Sequence, residues 1–188
     1  MFSAVLPQAV EKLSKSLQNR LRIVHQVRKA DMQETLEAYG KLAVHAELRE
    51  FLPDLPARMR RAHMVISRGG ASTVAELAAL GTPSLLVPLP GSLDQDQAMN
   101  GLELCKMGGA LMTRQPEFTP DYLAEILTQW MDDPEALSGV SRQASAFGEL
   151  DAAGRLTRYA QCLASGMPVQ IDLPSSSSTQ AQQEASHG

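Results

Sequence analysis

Short apolar stretches alternate with longer amphipathic stretches along most of the chain. In the longer stretches apolar residues recur every three or four positions, which is the period of a helix. The short stretches are nearly continuous apolar runs, as in strands that are buried on both faces. The predicted strands are residues 21–27, 41–48, 63–67, 83–90 and 109–113. The predicted helices are residues 4–18, 31–40, 72–81, 95–107, 120–131, 134–147 and 151–164.

This alternation predicts an α/β fold, a doubly wound parallel sheet with helices on both faces. Strands of this length that alternate with helices of about ten residues are typical of βαβ units. In such sheets a ligand binds outside the carboxyl ends of the strands, where the loops leave for their helices. The loops after Ser67 and Val87 are therefore the places where a functional site is expected.

Composition limits the size of the domain and its partners. The chain has 188 residues, of which 44% are hydrophobic and 20% charged, which is typical of a single globular domain. We predict one domain over residues 1–166 and a disordered tail over residues 167–188, because the segment from residue 174 onward has almost no large apolar residue. A formal net charge of −4 argues against a nucleic-acid partner, since such proteins normally carry a basic face.

Cysteine and histidine spacing predicts neither a disulfide framework nor a metal site. The two cysteines, Cys105 and Cys162, lie far apart, and the four histidines form no ligand pattern. No cofactor is predicted. The first residues lack the features of a signal peptide, and no stretch approaches the about 20 apolar residues that span a bilayer. We therefore predict a cytoplasmic protein, for which peripheral contact with the inner membrane stays open.

The turn SRGGASTVAEL, residues 67–77, is the strongest candidate for a binding site. Gly69–Ala71 leave the backbone bare just where a helix begins, so that unpaired N–H groups and the positive end of the helix dipole can face an anion. Ser72 and Thr73 add hydroxyl donors that suit phosphate oxygens. Glu76 lies one turn further on, where its carboxylate could accept both hydroxyl groups of a ribose.

The same residues also support an interpretation that needs no ligand. Thr73 and Glu76 form a T-x-x-E sequence, in which the threonine caps the helix and the glutamate returns a hydrogen bond to the backbone. The local sequence leaves both interpretations open. The turn matches neither G-x-G-x-x-G nor a Walker loop, so it does not favour a dinucleotide or nucleoside-triphosphate site.

A second polar cluster follows the next predicted strand. The loop over residues 88–101 carries Asp94, Asp96, Gln97 and Asn100 close to a helix start. Amide side chains offer both donors and acceptors and therefore suit the hydroxyl groups of a sugar. The alternative is an ordinary polar loop in which Asp94 caps the helix.

Together these segments resemble the C-terminal, donor-binding half of the MurG family of glycosyltransferases, over roughly residues 3–164. The pairing of RGGASTVAEL with DQDQAMN is the most specific part of the resemblance. The other matching segments are IVHQVRKAD (23–31), EFLPDLP and the residues up to the strand at 83–90, GGALM (108–112) and FTPDYLAEIL (118–127).

The resemblance implies a glycosyltransferase of the two-domain GT-B type that uses UDP-N-acetylglucosamine (UDP-GlcNAc). By position, main-chain groups at Leu52, which follows Phe51, would contact the uracil, and Gln97 would contact the sugar. Asp96 stands where the family commonly has His or Gln. The donor-binding residues implied in this way are Leu52, Gly70, Ala71, Ser72, Thr73, Val74, Ala75, Glu76, Gln97 and Asn100.

The implied reaction is displacement at the anomeric carbon of N-acetylglucosamine by a hydroxyl of a lipid-linked muramyl sugar, with UDP leaving, as a step of peptidoglycan synthesis. Family members carry an N-terminal acceptor domain, and their C-terminal domain opens with a strand that this chain lacks. We therefore expect a fragment without its first, central strand, which does not transfer sugar alone. Two alternatives stay open: a non-catalytic nucleotide-sugar-binding or interaction module that needs a separate acceptor-domain chain, and a transferase for another nucleotide sugar.

Overall fold

A computed structural model describes residues 1–91 and 96–148 of the chain. Five strands form two parallel sheets, a pair and a triplet. β1 (Arg22–Gln26) pairs with β2 (His45–Arg49), with Arg22 opposite His45. The triplet has the order β3-β4-β5, with β4 in the middle. Its strands are β3 (Val65–Ser67), β4 (Ser84–Leu86) and β5 (Ala110–Met112).

Eight helices connect and cover the strands within the described residues. They are α1 (Phe2–Lys12), α2 (Lys15–Arg20), α3 (Met32–Gly40), α4 (Leu55–Arg61), α5 (Ala71–Leu80), α6 (Asp96–Lys106), α7 (Pro120–Asp132) and α8 (Pro134–Phe147). Parallel strands with helices between them confirm the predicted α/β class. The helix predicted over residues 151–164 and the tail predicted over residues 167–188 lie outside the described residues.

Several predicted boundaries were wrong: the strand predicted over residues 83–90 ends at Leu86, α4 was not predicted, and two further elements differ. The helix predicted over residues 4–18 is two helices, because the chain leaves the helical conformation at Leu13 and Ser14 then caps α2 by accepting a hydrogen bond from the Leu17 N–H at 3.3 Å. The strand predicted over residues 41–48 begins only at His45, because the preceding residues form the turn that leaves α3.

The core lies on both faces of β4. Leu85 and Val87 are fully buried in a cluster with residues of α1, α2 and α7, whereas Leu86 is fully buried on the opposite face with residues of α5, α6 and α8. Successive strand residues point to opposite faces, so a continuous apolar run is what a strand between two helical layers requires. Burying each such leucine or valine stabilises the fold by about 1.5–3 kcal/mol.

The strand orders fit a doubly wound sheet without its first strand. A common order for this fold is 3-2-1-4-5-6, in which the first strand lies between the two halves. The observed orders β2-β1 and β3-β4-β5 correspond to 3-2 and 4-5-6. Within the described residues, β1 and β3 each pair on one side only. Among these residues β2 and β5 likewise pair on one side only, so the expected absence of a central strand stays a prediction.

Candidate functional site

The predicted site lies at the carboxyl ends of β3 and β4. The chain leaves β3 at Ser67 and enters α5 within four residues, while the strand pairing extends past β4 through a bond from the Val87 N–H to the Ser67 carbonyl at 2.8 Å. Because the strands are parallel, the turn before α5 and the loop before α6 leave the sheet at the same edge.

The start of α5 carries free backbone donors. Gly70 is the N-cap residue and no side chain caps the helix. The first helical bond runs from the Val74 N–H to the Gly70 carbonyl at 2.9 Å. The N–H groups of Ala71, Ser72 and Thr73 therefore have no acceptor among residues 1–91 and 96–148, and Ala71 and Ser72 are exposed. These three amides and the helix dipole form a positive end that faces solvent.

The capping-box interpretation of this turn was wrong. Thr73 lies inside the first turn of α5 rather than at its N-cap, so it cannot make the capping bond that T-x-x-E predicts. Glu76 is exposed, and its carboxylate makes no hydrogen bond or ion pair to the described part of the chain. Of the other predicted residues in this helix, Ala75 is exposed and Val74 is buried in the core against α6 and α8.

The two glycines of the turn have different roles. A Cβ atom on Gly69 would overlap the carbonyl oxygen of Gln97, so this glycine allows the start of α6 to lie against the turn. A Cβ on Gly70 would find only the Thr73 hydroxyl, at 3.8 Å. The sequence hypothesis assigned both glycines to a ligand. The structure assigns Gly69 to packing between two loops and leaves only Gly70 open on its outer side.

Gln97 and Asn100 lie close to the turn but are partly engaged in holding it. The Asn100 side-chain amide donates to the Gly69 carbonyl at 3.2 Å, and the Gln97 side-chain oxygen accepts from the Leu89 N–H at 3.0 Å. The NH₂ group of Gln97 remains without a partner among the described residues. The Asp94 residue and the Asp96 side chain lie outside the described residues, so the predicted cap at Asp94 and the role of Asp96 stay predictions.

Leu52 and Phe51 follow the carboxyl end of β2. Leu52 is buried, and its main-chain N–H and C=O form no hydrogen bond with the described residues. Phe51 is 71% exposed, which is unusual for a large aromatic ring. The sequence hypothesis treated Phe51 only as the neighbour of Leu52. Its position two residues after the end of β2 was the signal that the ring itself lies at the ligand edge.

Arg68 is a residue of this edge that the sequence analysis missed. Its guanidinium donates to the carbonyls of Val87 at 3.0 Å and Pro88 at 3.2 Å, and to the Gln115 side-chain oxygen at 2.9 Å. It also lies over the Phe2 ring, 5.2 Å from the centroid. Burial lowers the pKa of this guanidinium, and no carboxylate of the described residues pairs with it. A charged residue immediately after a predicted strand was the available signal.

The described residues contain no group of three His, Cys, Asp or Glu side chains that could hold a metal ion. His25 is buried in β1, where its Nδ1 lies 3.3 Å from the Tyr39 hydroxyl and burial lowers its pKa. None of the described helices combines the length and apolar character needed to cross a bilayer.

Comparison with known proteins identifies relatives. The family model for the glycosyltransferase family 28 C-terminal domain matches residues 2–156. A UDP-N-acetylglucosamine–N-acetylmuramyl-(pentapeptide) pyrophosphoryl-undecaprenol N-acetylglucosamine transferase of Nitrobacter winogradskyi is 47% identical over 156 residues, which are 83% of this chain and 42% of the relative. An enzyme of the same name from Brucella suis is 44% identical over 169 residues, which are 90% of this chain and 45% of the relative. The chain thus spans less than half the length of these relatives.

Solved structures agree on the fold. The crystal structure of MurG from Acinetobacter baumannii superposes with a TM-score of 0.74 at 25% identity, covering 85% of this chain and 45% of that protein. A UDP-N-acetylglucosamine 2-epimerase from Listeria monocytogenes, described as putative in its structure report, superposes with a TM-score of 0.62 over 89% of this chain and 43% of its own. Its 13% identity makes the second similarity evidence for the fold alone.

Proposed function

Because the chain belongs to the glycosyltransferase family 28 C-terminal domains, we propose that it is the donor-binding half of a MurG-type hexosyltransferase. The complete enzyme would transfer N-acetylglucosamine from UDP-GlcNAc to the lipid-linked muramyl-pentapeptide, the step from lipid I to lipid II in peptidoglycan synthesis. The acceptor-binding site and the catalytic base would belong to a half of the enzyme that has no counterpart in this chain. The chain alone is therefore expected to be inactive.

The observation that carries this proposal is the free start of α5 beside an uncommitted carboxylate. Three backbone N–H groups, those of Ala71, Ser72 and Thr73, point to no acceptor among the described residues, and Glu76 lies exposed one turn away. A nucleoside diphosphate presents both kinds of complementary group, phosphate oxygens and a ribose diol. The amides would bind the oxygens and the carboxylate would accept both hydroxyl groups.

The same groups would contribute to catalysis. Negative charge grows on the diphosphate as the bond to the anomeric carbon breaks. Fixed backbone donors and the helix dipole interact more strongly with that growing charge than with the ground state, which is the condition for lowering a barrier. We propose that these donors and the residues of the acceptor half stabilise the leaving group.

The remaining predicted residues would complete the donor site. The unpaired main chain of Leu52 would bind the edge of the uracil, and the exposed Phe51 ring offers an apolar surface for the base. The free NH₂ group of Gln97 would donate to a hydroxyl of the sugar. Asn100 supports the site from behind, because its side chain is bonded to Gly69.

Calorimetry with UDP-GlcNAc, UDP-glucose and TDP-glucose tests the proposed ligand. We expect weak but measurable binding of both UDP compounds, UDP-GlcNAc being the tighter, and weaker binding of TDP-glucose. Equal binding of all three compounds would contradict a MurG-type donor site, and preference for TDP-glucose would favour a transferase for another nucleotide sugar. In a turnover assay with lipid-linked acceptor, product formed by this chain alone would refute the assignment of the acceptor site to another half.

Within residues 1–91 and 96–148, β1 and β3 each have an edge without a partner strand, which favours a second candidate function, an interaction module. Free strand edges bind other chains readily. A separate chain that supplies the first strand and the acceptor domain would fill the gap, and the assembled enzyme would work peripherally at the cytoplasmic face of the membrane. Gel filtration of the chain mixed with a MurG acceptor half that includes the first strand of the donor domain tests this candidate. Co-elution supports it and separate elution contradicts it.

A further inference from the structure

Arg68 joins four separate segments at the ligand edge. It lies between β3 and Gly69, and its Nη1 donates to the carbonyls of Val87 and Pro88, the residues with which the chain leaves β4. Its Nη2 donates to the side chain of Gln115, which follows β5, and the guanidinium plane covers Phe2 of α1. One side chain therefore fixes three neighbouring strand ends and a helix start with respect to one another.

The contacts need the shape of a guanidinium. Its planar fork donates in fixed directions, here to two backbone carbonyls on one side and to an amide oxygen on the other. All three acceptors are neutral, and no described carboxylate pairs with Arg68. Hydrogen bonds from a charged donor are stronger than neutral ones, so the fork holds these segments firmly.

The segment that Arg68 contacts after β4 is bonded to α6, the helix that carries the sugar-binding candidates Gln97 and Asn100. Pro88 accepts from Arg68, the next residue Leu89 donates to Gln97, and Asn100 donates back to the carbonyl of Gly69, the residue after Arg68. These contacts close a ring of hydrogen bonds and covalent links from the turn to α6 and back. A change at Arg68 is therefore transmitted to Gln97 through Leu89.

We propose that Arg68 is a positioning residue of the donor site, which holds the start of the loop after β4, at Pro88 and Leu89, so that Gln97 and Asn100 stand at the start of α5. The proposal rests on the proposed function, because it gives that loop its role in nucleotide-sugar binding. The proposal predicts that a positive charge alone does not position the loop. A lysine at position 68 keeps the charge but lacks the planar guanidinium, so it should not replace Arg68.

Hydrogen exchange of the ligand-free full chain, followed by NMR, tests the positioning directly. In R68K the Leu89 N–H is expected to exchange about tenfold faster, which corresponds to ~1.4 kcal/mol of local protection. The Thr113 N–H, bonded to the Leu86 carbonyl at 3.0 Å inside the sheet, should keep its rate. Unchanged exchange at Leu89 would overturn the proposal, and so would equal acceleration at both amides, because that reports general loosening.

Nucleotide affinity gives the second readout. R68K should bind UDP-GlcNAc about tenfold more weakly than the wild type. The control R114Q removes an exposed arginine that pairs only with Glu117 and should leave the affinity unchanged. Equal affinity of R68K and the wild type would overturn the proposal. If the wild-type chain binds no UDP compound, the proposed function fails, and the exchange at Leu89 alone decides whether Arg68 positions the loop.

A second variant covers the case in which R68K does not fold. Q115A removes the side-chain oxygen that accepts from the Arg68 guanidinium and leaves the arginine in place. A smaller acceleration at Leu89 in the same direction supports the proposal, whereas an unchanged rate contradicts it.

Discussion

At the scale of single residues, the best test of the site is the Glu76 carboxylate. We expect E76Q to bind UDP about ten- to a hundredfold more weakly, because hydrogen bonds to a charged acceptor contribute about 1.5–3 kcal/mol. The exposed Glu125 of α7 supplies the matched control E125Q, which should bind UDP like the wild type. Calorimetry measures both variants.

A change in the ligand identifies the group that Glu76 contacts. UDP that lacks both ribose hydroxyls should bind the wild type and E76Q equally weakly. If E76Q weakens the two ligands by the same factor, the carboxylate does not bind the ribose diol and its assigned role is wrong.

His25 makes the stability of the fold depend on pH. Burial, and secondarily the positive charge of the amino terminus, lower its pKa from the ordinary value of 6.5, so the unfolded chain takes up a proton that the folded chain resists. Stability should therefore fall as the pH drops below about 6.5, with a slope of at most ~1.4 kcal/mol per pH unit from this group. Urea unfolding between pH 7.5 and 5.5 should show a shallower fall for H25Q. Equal slopes in both proteins would contradict this account of His25.

At the scale of elements, the sequence predicted the described strands and most of the helices. The apolar run from Ser84 onward predicted β4 because a strand between two helical layers needs apolar residues on both faces. Gly81 marked the end of α5 because it adopts a φ of 63°, which disfavours other residues. The break before α2 was not predictable from periodicity, because both helices contribute apolar residues to one cluster and Ser14 is the only cap signal.

Part of the site was also predictable. The free start of α5 followed from glycines after a buried strand. The partners of Arg68, and the contact between Gly69 and Gln97, join residues from separate segments, and a single sequence does not reveal which segments meet.

The two glycines before α5 should therefore tolerate change differently. G69A places a methyl group against the Gln97 carbonyl and should lower the free energy of unfolding by about 1–3 kcal/mol. G70A meets only the Thr73 hydroxyl, at an ordinary contact distance of 3.8 Å, and should cost under about 1 kcal/mol, as expected for a helix N-cap. Urea unfolding of the two variants measures the difference. Equal destabilisation would contradict the described packing of α6 on the turn.

At the scale of the whole molecule, the two sheets leave β1 and β3 each with an edge that no other strand of the described part of the chain pairs. Adding a polypeptide that carries the first strand and the acceptor half should raise the melting temperature of the chain and strengthen UDP-GlcNAc binding. The physical reason is that strand pairing buries apolar surface and fixes the elements that carry the site. Thermal unfolding with and without the added half measures this, the acceptor half without that strand being the control. If the acceptor half raises the melting temperature equally with and without the first strand, the edges of β1 and β3 are not the docking site.

The central claim is that the backbone amides at the start of α5 bind the phosphates of a UDP-sugar. Titration of the isotope-labelled chain with UDP-GlcNAc, followed by two-dimensional NMR, tests it most directly. We predict saturable shifts of the Ala71, Ser72 and Thr73 amides, with the amides of α7 unchanged. Binding that shifts other amides while these three stay in place would contradict the account.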